Sequence, residues 1–71
     1  MINAKLGDTM IRITPPRDGR EGYAQYGTVR EVTDEAIVIV VQVDIQRFME
    51  FRREDGIDTN GIGSFIVLAH D

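Results

Sequence analysis

The sequence predicts an all-β domain in which five short strands close into a small barrel. Three observations support this: apolar and polar residues alternate with period two, turn residues separate the alternating segments, and the chain has 71 residues. A chain of this length buries only about 60% of the surface that its unfolded form exposes, which leaves room for one core and no deep cleft. Small sheets hide their edges by closing, so we expect one domain over residues 1–71.

The composition argues against several function classes. The chain has no Cys, one His and a formal charge of −4. Without Cys it has no disulfide framework, iron–sulfur cluster or thiolate zinc site, and His70 lies where chains usually fray, so we expect no catalysis, no metal and no cofactor. The longest apolar run, residues 36–41, is far shorter than the ~20 residues of a membrane span. We therefore expect a cytoplasmic protein that does not enter membranes.

The first third of the chain predicts two strands joined by a loop. Residues 9–14 alternate in a β-branched stretch, and Pro15 and Pro16 end the strand because proline cannot donate to a ladder. Turn-forming residues predict a loop over residues 17–25, and a second strand is expected over residues 26–32.

The third strand, predicted over residues 36–43, carries the strongest signal in the chain. Both of its faces are apolar in the middle, and it contains no charge and no proline. Left exposed, such a strand would template aggregation, so we expect it to be central in the sheet or buried in a dimer. One face carries Ile37, Ile39, Val41 and Val43, and the other carries Val38 and Val40.

Residues 45–53 fit two templates. They can form a strand with Ile45, Met49 and Phe51 on one side, or a short helix whose apolar stripe carries Ile45, Phe48 and Met49. The Asp-Gly pair at residues 55–56 is a hairpin-type turn signal and favours the strand. The last strand is expected over residues 64–69.

The order of these signals resembles the SH3-like small β-barrels, including the KOW type of transcription-elongation and ribosomal proteins. The resemblance is carried by Gly7-Asp8, by GYAQYG at residues 22–27, by TVREV at residues 28–32 and by IVI at residues 37–39. The second half, FRREDG at residues 51–56 followed by an apolar strand, looks like a hairpin in small uncharacterised bacterial and phage-encoded barrel proteins. The resemblance implies a five-stranded SH3-like barrel whose long first loop shapes a binding groove.

The loop is the first candidate site, and it predicts protein binding. Exposed Tyr beside Arg is the composition of interface anchors, because each offers a large contact area and a polar tip. The leading hypothesis is a non-catalytic protein-binding module, a phage or bacterial accessory or regulatory factor. The plainer interpretation is a solvated loop beside a tyrosine packed in the sheet. The candidate residues are Arg17, Arg20, Tyr23 and Tyr26.

An arginine and phenylalanine cluster is the second candidate, and it predicts nucleic-acid binding by a KOW-like module. Arginines around an aromatic ring can hold phosphates and stack bases, although the plainer interpretation is ion pairing with interleaved acids on a solvated face. The candidate residues are Arg47, Phe48, Arg52 and Arg53. A weaker third hypothesis is a small-ligand sponge at the interface of a homo-oligomer, which the apolar third strand would allow.

Overall fold

The computed structural model describes residues 1–42, 46–61 and 63–69, and it confirms the all-β prediction. Its five antiparallel strands form one sheet in the order β4-β3-β2-β1-β5. The described part of the chain contains no helix long and apolar enough to cross a membrane. The strands are β1 (Thr9–Thr14), β2 (Tyr23–Val32), β3 (Ala36–Gln42), β4 (Gln46–Arg52) and β5 (Phe65–Leu68).

A short segment links the two strands that end this order. Asp58 forms a β-bridge with Phe51 of β4, and the preceding residue, Ile57, forms one with Phe65 of β5. The main chain at residues 57–58 therefore lies between β4 and β5 and covers part of the edge of each strand.

The loop between β1 and β2 is shorter than predicted. Its expected last three residues, 23–25, belong to β2 because they pair with residues 12–14 of β1. The prediction that β2 begins at Tyr26 is therefore wrong by three residues. The remaining loop turns at Asp18 and Gly19, whose φ angles are 50° and 78°.

The third strand was expected to be either central or buried in a dimer, and the structure shows the first, because β3 lies between β2 and β4. Ile37, Ile39 and Val41 are buried on its core side, and Val40 is buried on the other. Val43, which was expected on the core side, lies outside the described residues.

The strand interpretation of residues 45–53 is confirmed over β4, while Ile45 lies outside the described residues. Phe51 is fully buried and Met49 is half-buried, as the strand template requires. Phe48 faces the opposite side of the sheet and is 65% exposed.

One face of the sheet carries the core. In β1 this face holds Met10 and Arg12, whereas Ile11 and Ile13 lie on the other face and are only half-buried. Period-two alternation defines the two faces of a strand but does not decide which one is buried. The buried apolar cluster comprises Ala4, Met10, Val29, Ile37, Ile39, Val41, Phe51 and Ile66.

Replacing Phe51 tests this core directly. Because Phe51 is fully buried, Phe51→Ala should lower the free energy of unfolding by about 3–5 kcal/mol. Phe48→Ala is the matched control in the same strand, and its exposed ring predicts a change within about 0.5 kcal/mol. Urea denaturation measures both values, and equal losses would contradict the assignment of faces in β4.

Candidate functional site

A buried arginine organises one end of the core. Arg12 lies in the middle of β1 on the core face, with 7% of its surface exposed. Its Nη1 donates to Oε1 of Gln25 at 2.8 Å, and its Nη2 donates to Oγ of Ser64 at 3.1 Å. Its Nε is buried and has no hydrogen-bond partner among the described residues. The guanidinium therefore joins β1 to β2 and to the residue before β5 through neutral partners.

The carboxylate of Asp58 is hydrogen-bonded to Ser64, which Arg12 also contacts. The backbone N–H of Ser64 donates to Oδ2 of Asp58 at 3.3 Å, and the N–H of Asp58 donates to the Ser64 carbonyl at 2.9 Å. Both residues are buried, and the Ser64 hydroxyl also shares a 3.0 Å hydrogen bond with the Thr14 hydroxyl. Buried polar groups are costly unless they are hydrogen-bonded, and Ser64 bonds Arg12 through its hydroxyl and Asp58 through its main chain.

The polar cluster holds an exposed aromatic ring at its rim. Tyr23 opens β2 opposite Thr14 and is 52% exposed, and the guanidinium carbon of Arg12 lies 5.8 Å from its ring centroid. Hydrogen bonding with Thr14, and then with Arg12, lowers the pKa of the Tyr23 phenol. The nearby positive charge of Arg47 acts in the same direction. Arg12 thus lies beside the ring, while much of the surface of Tyr23 stays accessible.

Tyr23 borders a cleft of about 520 Å³ that we call the loop groove. Its two arginines flank a tight turn, because the N–H of each donates to the other's carbonyl, at 3.1 Å from Arg17 and 2.9 Å from Arg20. Tyr26 lies apart from them, on the opposite face of β2, and is 71% exposed. The groove is lined by Thr14, Pro15, Arg17, Asp18, Arg20, Glu21 and Tyr23.

The arginine and phenylalanine cluster does not form one surface. Arg47 and Phe48 point to opposite faces of β4 because they are neighbours in a strand. Arg52 forms an ion pair with Asp55 at 2.6 Å, and Arg53 donates to two backbone carbonyls. The pKa of Asp55 is lowered by the Ile57 N–H and, more weakly, by Arg52. Arg52 thus serves the turn after β4, whereas Arg53 ties the end of β4 to Ile2 and to Thr33.

A second cleft, of about 260 Å³, lies beside β4 and connects the two candidate sets; we call it the β4 cleft. Arg47, from the second set, shares this cleft with Arg12, and Arg12 contacts Tyr23 of the first set. Arg12 was not among the candidate residues predicted from the sequence. The one signal for a functional role was its charge in the middle of a predicted strand. The cleft is lined by Arg12, Arg47, Phe48, Met49, Glu50, Phe51, Asp58 and Asn60.

No family model matches the chain, and comparisons with curated proteins and with solved structures find no significant match either. The geometry around Arg12 and Tyr23 is therefore the basis for assigning a function.

The lowered pKa of Tyr23 can be measured by absorbance titration of the phenolate. One tyrosine component should titrate below the ordinary value of 10.0, and it should vanish in Tyr23→Phe. Between the lowered pKa and 10.0 the unfolded chain binds more protons, so stability relative to Tyr23→Phe should rise with pH in that window. A low component that survives in Tyr23→Phe would contradict the assignment.

Arg12→Lys tests the pair of hydrogen bonds, which we call the fork, by which the Arg12 guanidinium joins β1 to Gln25 and Ser64. Lysine keeps the charge but cannot donate in the same planar geometry to Gln25 and Ser64, so unfolding should become easier by about 1–3 kcal/mol. Arg20→Lys is the control, because Arg20 is exposed in the loop. Urea denaturation of both variants checks this, and equal stabilities would show that the fork contributes nothing.

Proposed function

We propose that this chain is a non-catalytic protein-binding module with the architecture of a five-stranded SH3-like barrel, and that it contacts its partner through the loop groove. The observation that carries the proposal is the position of Tyr23, an exposed ring held by Arg12 and Thr14 at the edge of a cleft.

The pairing of the strands supports the barrel. The sheet is fully antiparallel, and residues 57–58 bridge to both strands that end its order, as expected when a sheet curls toward closure. The loop over residues 15–22 occupies the place of the long first loop of SH3-like barrels. A groove beside that loop agrees with the resemblance in the sequence.

The energetics of recognition favour Tyr23 as the anchor. Ordering a side chain at an interface costs about 0.5–1.5 kcal/mol, and a ring that is already held in the free protein avoids much of this cost. Tyrosine and arginine dominate the energetically important positions of protein interfaces. Arg17 and Arg20 lie in the same groove and supply charged groups at its rim.

Protein binding is favoured over nucleic-acid binding by the placement of the second candidate set. A single-strand site needs arginines and an aromatic ring on a shared surface. Here Arg47 and Phe48 border the β4 cleft from opposite faces of β4, together with the carboxylates of Glu50 and Asp58, while Arg52 and Arg53 are hydrogen-bonded elsewhere in the fold. The net charge of −4 does not favour phosphate either.

The proposal is tested by affinity capture from a lysate of the source organism, with and without nuclease, followed by binding assays with the purified partner. Tyr23→Ala should weaken binding at least about tenfold, the scale of an interface anchor, and Arg20→Ala should weaken it less. Tyr26→Ala is the matched control, because Tyr26 is equally an exposed tyrosine of β2 but lies on the other face.

Two outcomes would overturn the assignment. If every captured partner is lost on nuclease treatment, the chain acts on nucleic acid. If Tyr26→Ala weakens partner binding while Tyr23→Ala does not, the partner contacts the other face of β2 and not the loop groove.

A further inference from the structure

The two tyrosines of the chain provide an internal comparison, because both belong to β2 and both are exposed. Tyr23 is 52% exposed, and Tyr26 is 71% exposed. Tyr23 pairs with Thr14 and lies on the same face of the sheet as Arg12. Tyr26 lies on the other face, opposite Ile11. Exposure alone would therefore make Tyr26 the more reactive phenol toward a reagent in solution.

The phenol of Tyr23 has a cation and a hydroxyl group beside it. The guanidinium carbon of Arg12 lies 5.8 Å from the ring centroid, and Arg12 and Thr14 both hydrogen-bond with the phenol. The two side chains that accept hydrogen bonds from Arg12 are neutral, so they do not cancel its charge. An adjacent positive charge and hydrogen bonds to the oxygen both favour the phenolate over the phenol.

The surroundings of Tyr26 differ in these respects. Arg30 lines a cleft with Tyr26, on the outer face of the sheet. In the part of the chain that the structure describes, the only ring that lies under a cation is that of Tyr23. Local contacts therefore favour Tyr23 as the nucleophile, whereas exposure favours Tyr26.

Carboxylates also lie in the region of Tyr23 and act against its phenolate. Asp18 and Glu21 line the loop groove, and Asp18 pairs with an arginine of the groove at 3.7 Å. Glu50 and Asp58 line the β4 cleft, on the other side of Arg12. With all of these groups present the pKa of the phenol is still lowered, so the contacts with the hydroxyl and the guanidinium outweigh them.

The loop groove gives a small molecule access to this phenol. The cleft has a volume of about 520 Å³, and Tyr23 lines it together with the turn residues of the first loop. A reagent can therefore approach the ring from the groove while Arg12 stays buried behind it.

We propose that Tyr23 is a nucleophilic tyrosine whose phenolic oxygen accepts an acyl group from an activated acyl donor, in preference to the more exposed Tyr26. Side-chain oxygens become effective nucleophiles when neighbouring groups favour their deprotonated form, and tyrosine is one of the residues that forms such covalent products. Tyr23 meets this condition through Arg12 and Thr14, and it lies in an open cleft.

The step is an acyl transfer that balances without a further reactant. The phenol of Tyr23 gives its proton to water, and the phenolate oxygen forms a bond to the acyl carbon of the donor. The bond from that carbon to the leaving group breaks, and the leaving group departs with the electron pair and takes up a proton. Acyl phosphates, acyl thioesters and N-acylimidazoles are donors of this class.

This inference stands independently of the proposed function. The acyl transfer needs only the folded chain and a donor, so it is measured with no partner present. Failure to capture a protein partner would leave the reactivity of Tyr23 unaffected, and an unreactive Tyr23 would leave the binding assays valid.

Limited acetylation of the full chain with N-acetylimidazole tests the proposal. Digestion and mass spectrometry give the rate at each tyrosine, and hydroxylamine, which cleaves aryl esters but not amides, identifies acetyl groups on oxygen. In the folded chain Tyr23 should react several-fold faster than Tyr26. In a denaturing concentration of urea the two rates should become equal, because the contacts with Arg12 and Thr14 are then lost.

The matched variants are Thr14→Val and Thr28→Val, each of which removes one hydroxyl beside one tyrosine. Thr14→Val should slow the acetylation of Tyr23 and leave Tyr26 unchanged, and Thr28→Val should leave Tyr23 unchanged. Arg47→Gln is a second variant at an exposed residue whose charge acts on Tyr23, and it should also slow that reaction.

Three results would overturn the proposal. The first is an equal or faster reaction of Tyr26 in the folded chain. The second is a preference for Tyr23 that persists in urea, since it would then come from the local sequence and not from the fold. The third is a rate at Tyr23 that neither Thr14→Val nor Arg47→Gln lowers while both variants remain folded by circular dichroism.

Discussion

The structure depends on a charged side chain held inside a small β-sheet. Arg12 is buried in β1, and its guanidinium is hydrogen-bonded to Gln25 of β2 and to Ser64 just before β5. A buried guanidinium is stabilised only if its hydrogen bonds are made, so these bonds constrain how the three parts of the sheet meet. Ser64 extends the constraint to Asp58, whose bridge to Phe51 brings the far strand β4 to the same place. One polar cluster thus connects β1, β2, β4 and β5.

The same cluster borders two clefts. Toward the first loop, Arg12 lies beside Tyr23 at the rim of the loop groove. Toward β4, it lines the β4 cleft with Arg47. The burial of Arg12 has a cost in the folded protein, because its Nε has no partner among the described residues.

The local sequence pattern was sufficient to predict the strands whose two faces differ in polarity or are both apolar. Residues 36–43 predicted a strand that is central or buried in a dimer, because an exposed position does not tolerate such a run, and β3 lies between two strands. The turn at residues 55–56 correctly favoured a strand over a helix for β4. The start of β2 was missed because Tyr23–Gln25 have weak strand signals of their own and are extended by pairing with β1. The structure places Arg17, Arg20 and Tyr23 together in the loop groove, whereas Tyr26 lies on the other face of β2.

The sequence by itself therefore determined the all-β class, the number of strands and the need to cover both faces of the third one, since these follow from period-two alternation and from the need to hide apolar faces. Only the tertiary structure decided which face of β1 is buried, because alternation alone is symmetric between Ile11 and Arg12. It also decided that Arg47 lines the same cleft as Arg12 and that, among the described residues, no strand pairs with the outer edge of β4 at Phe48. Both depend on pairings between residues far apart in the chain, which no local pattern encodes.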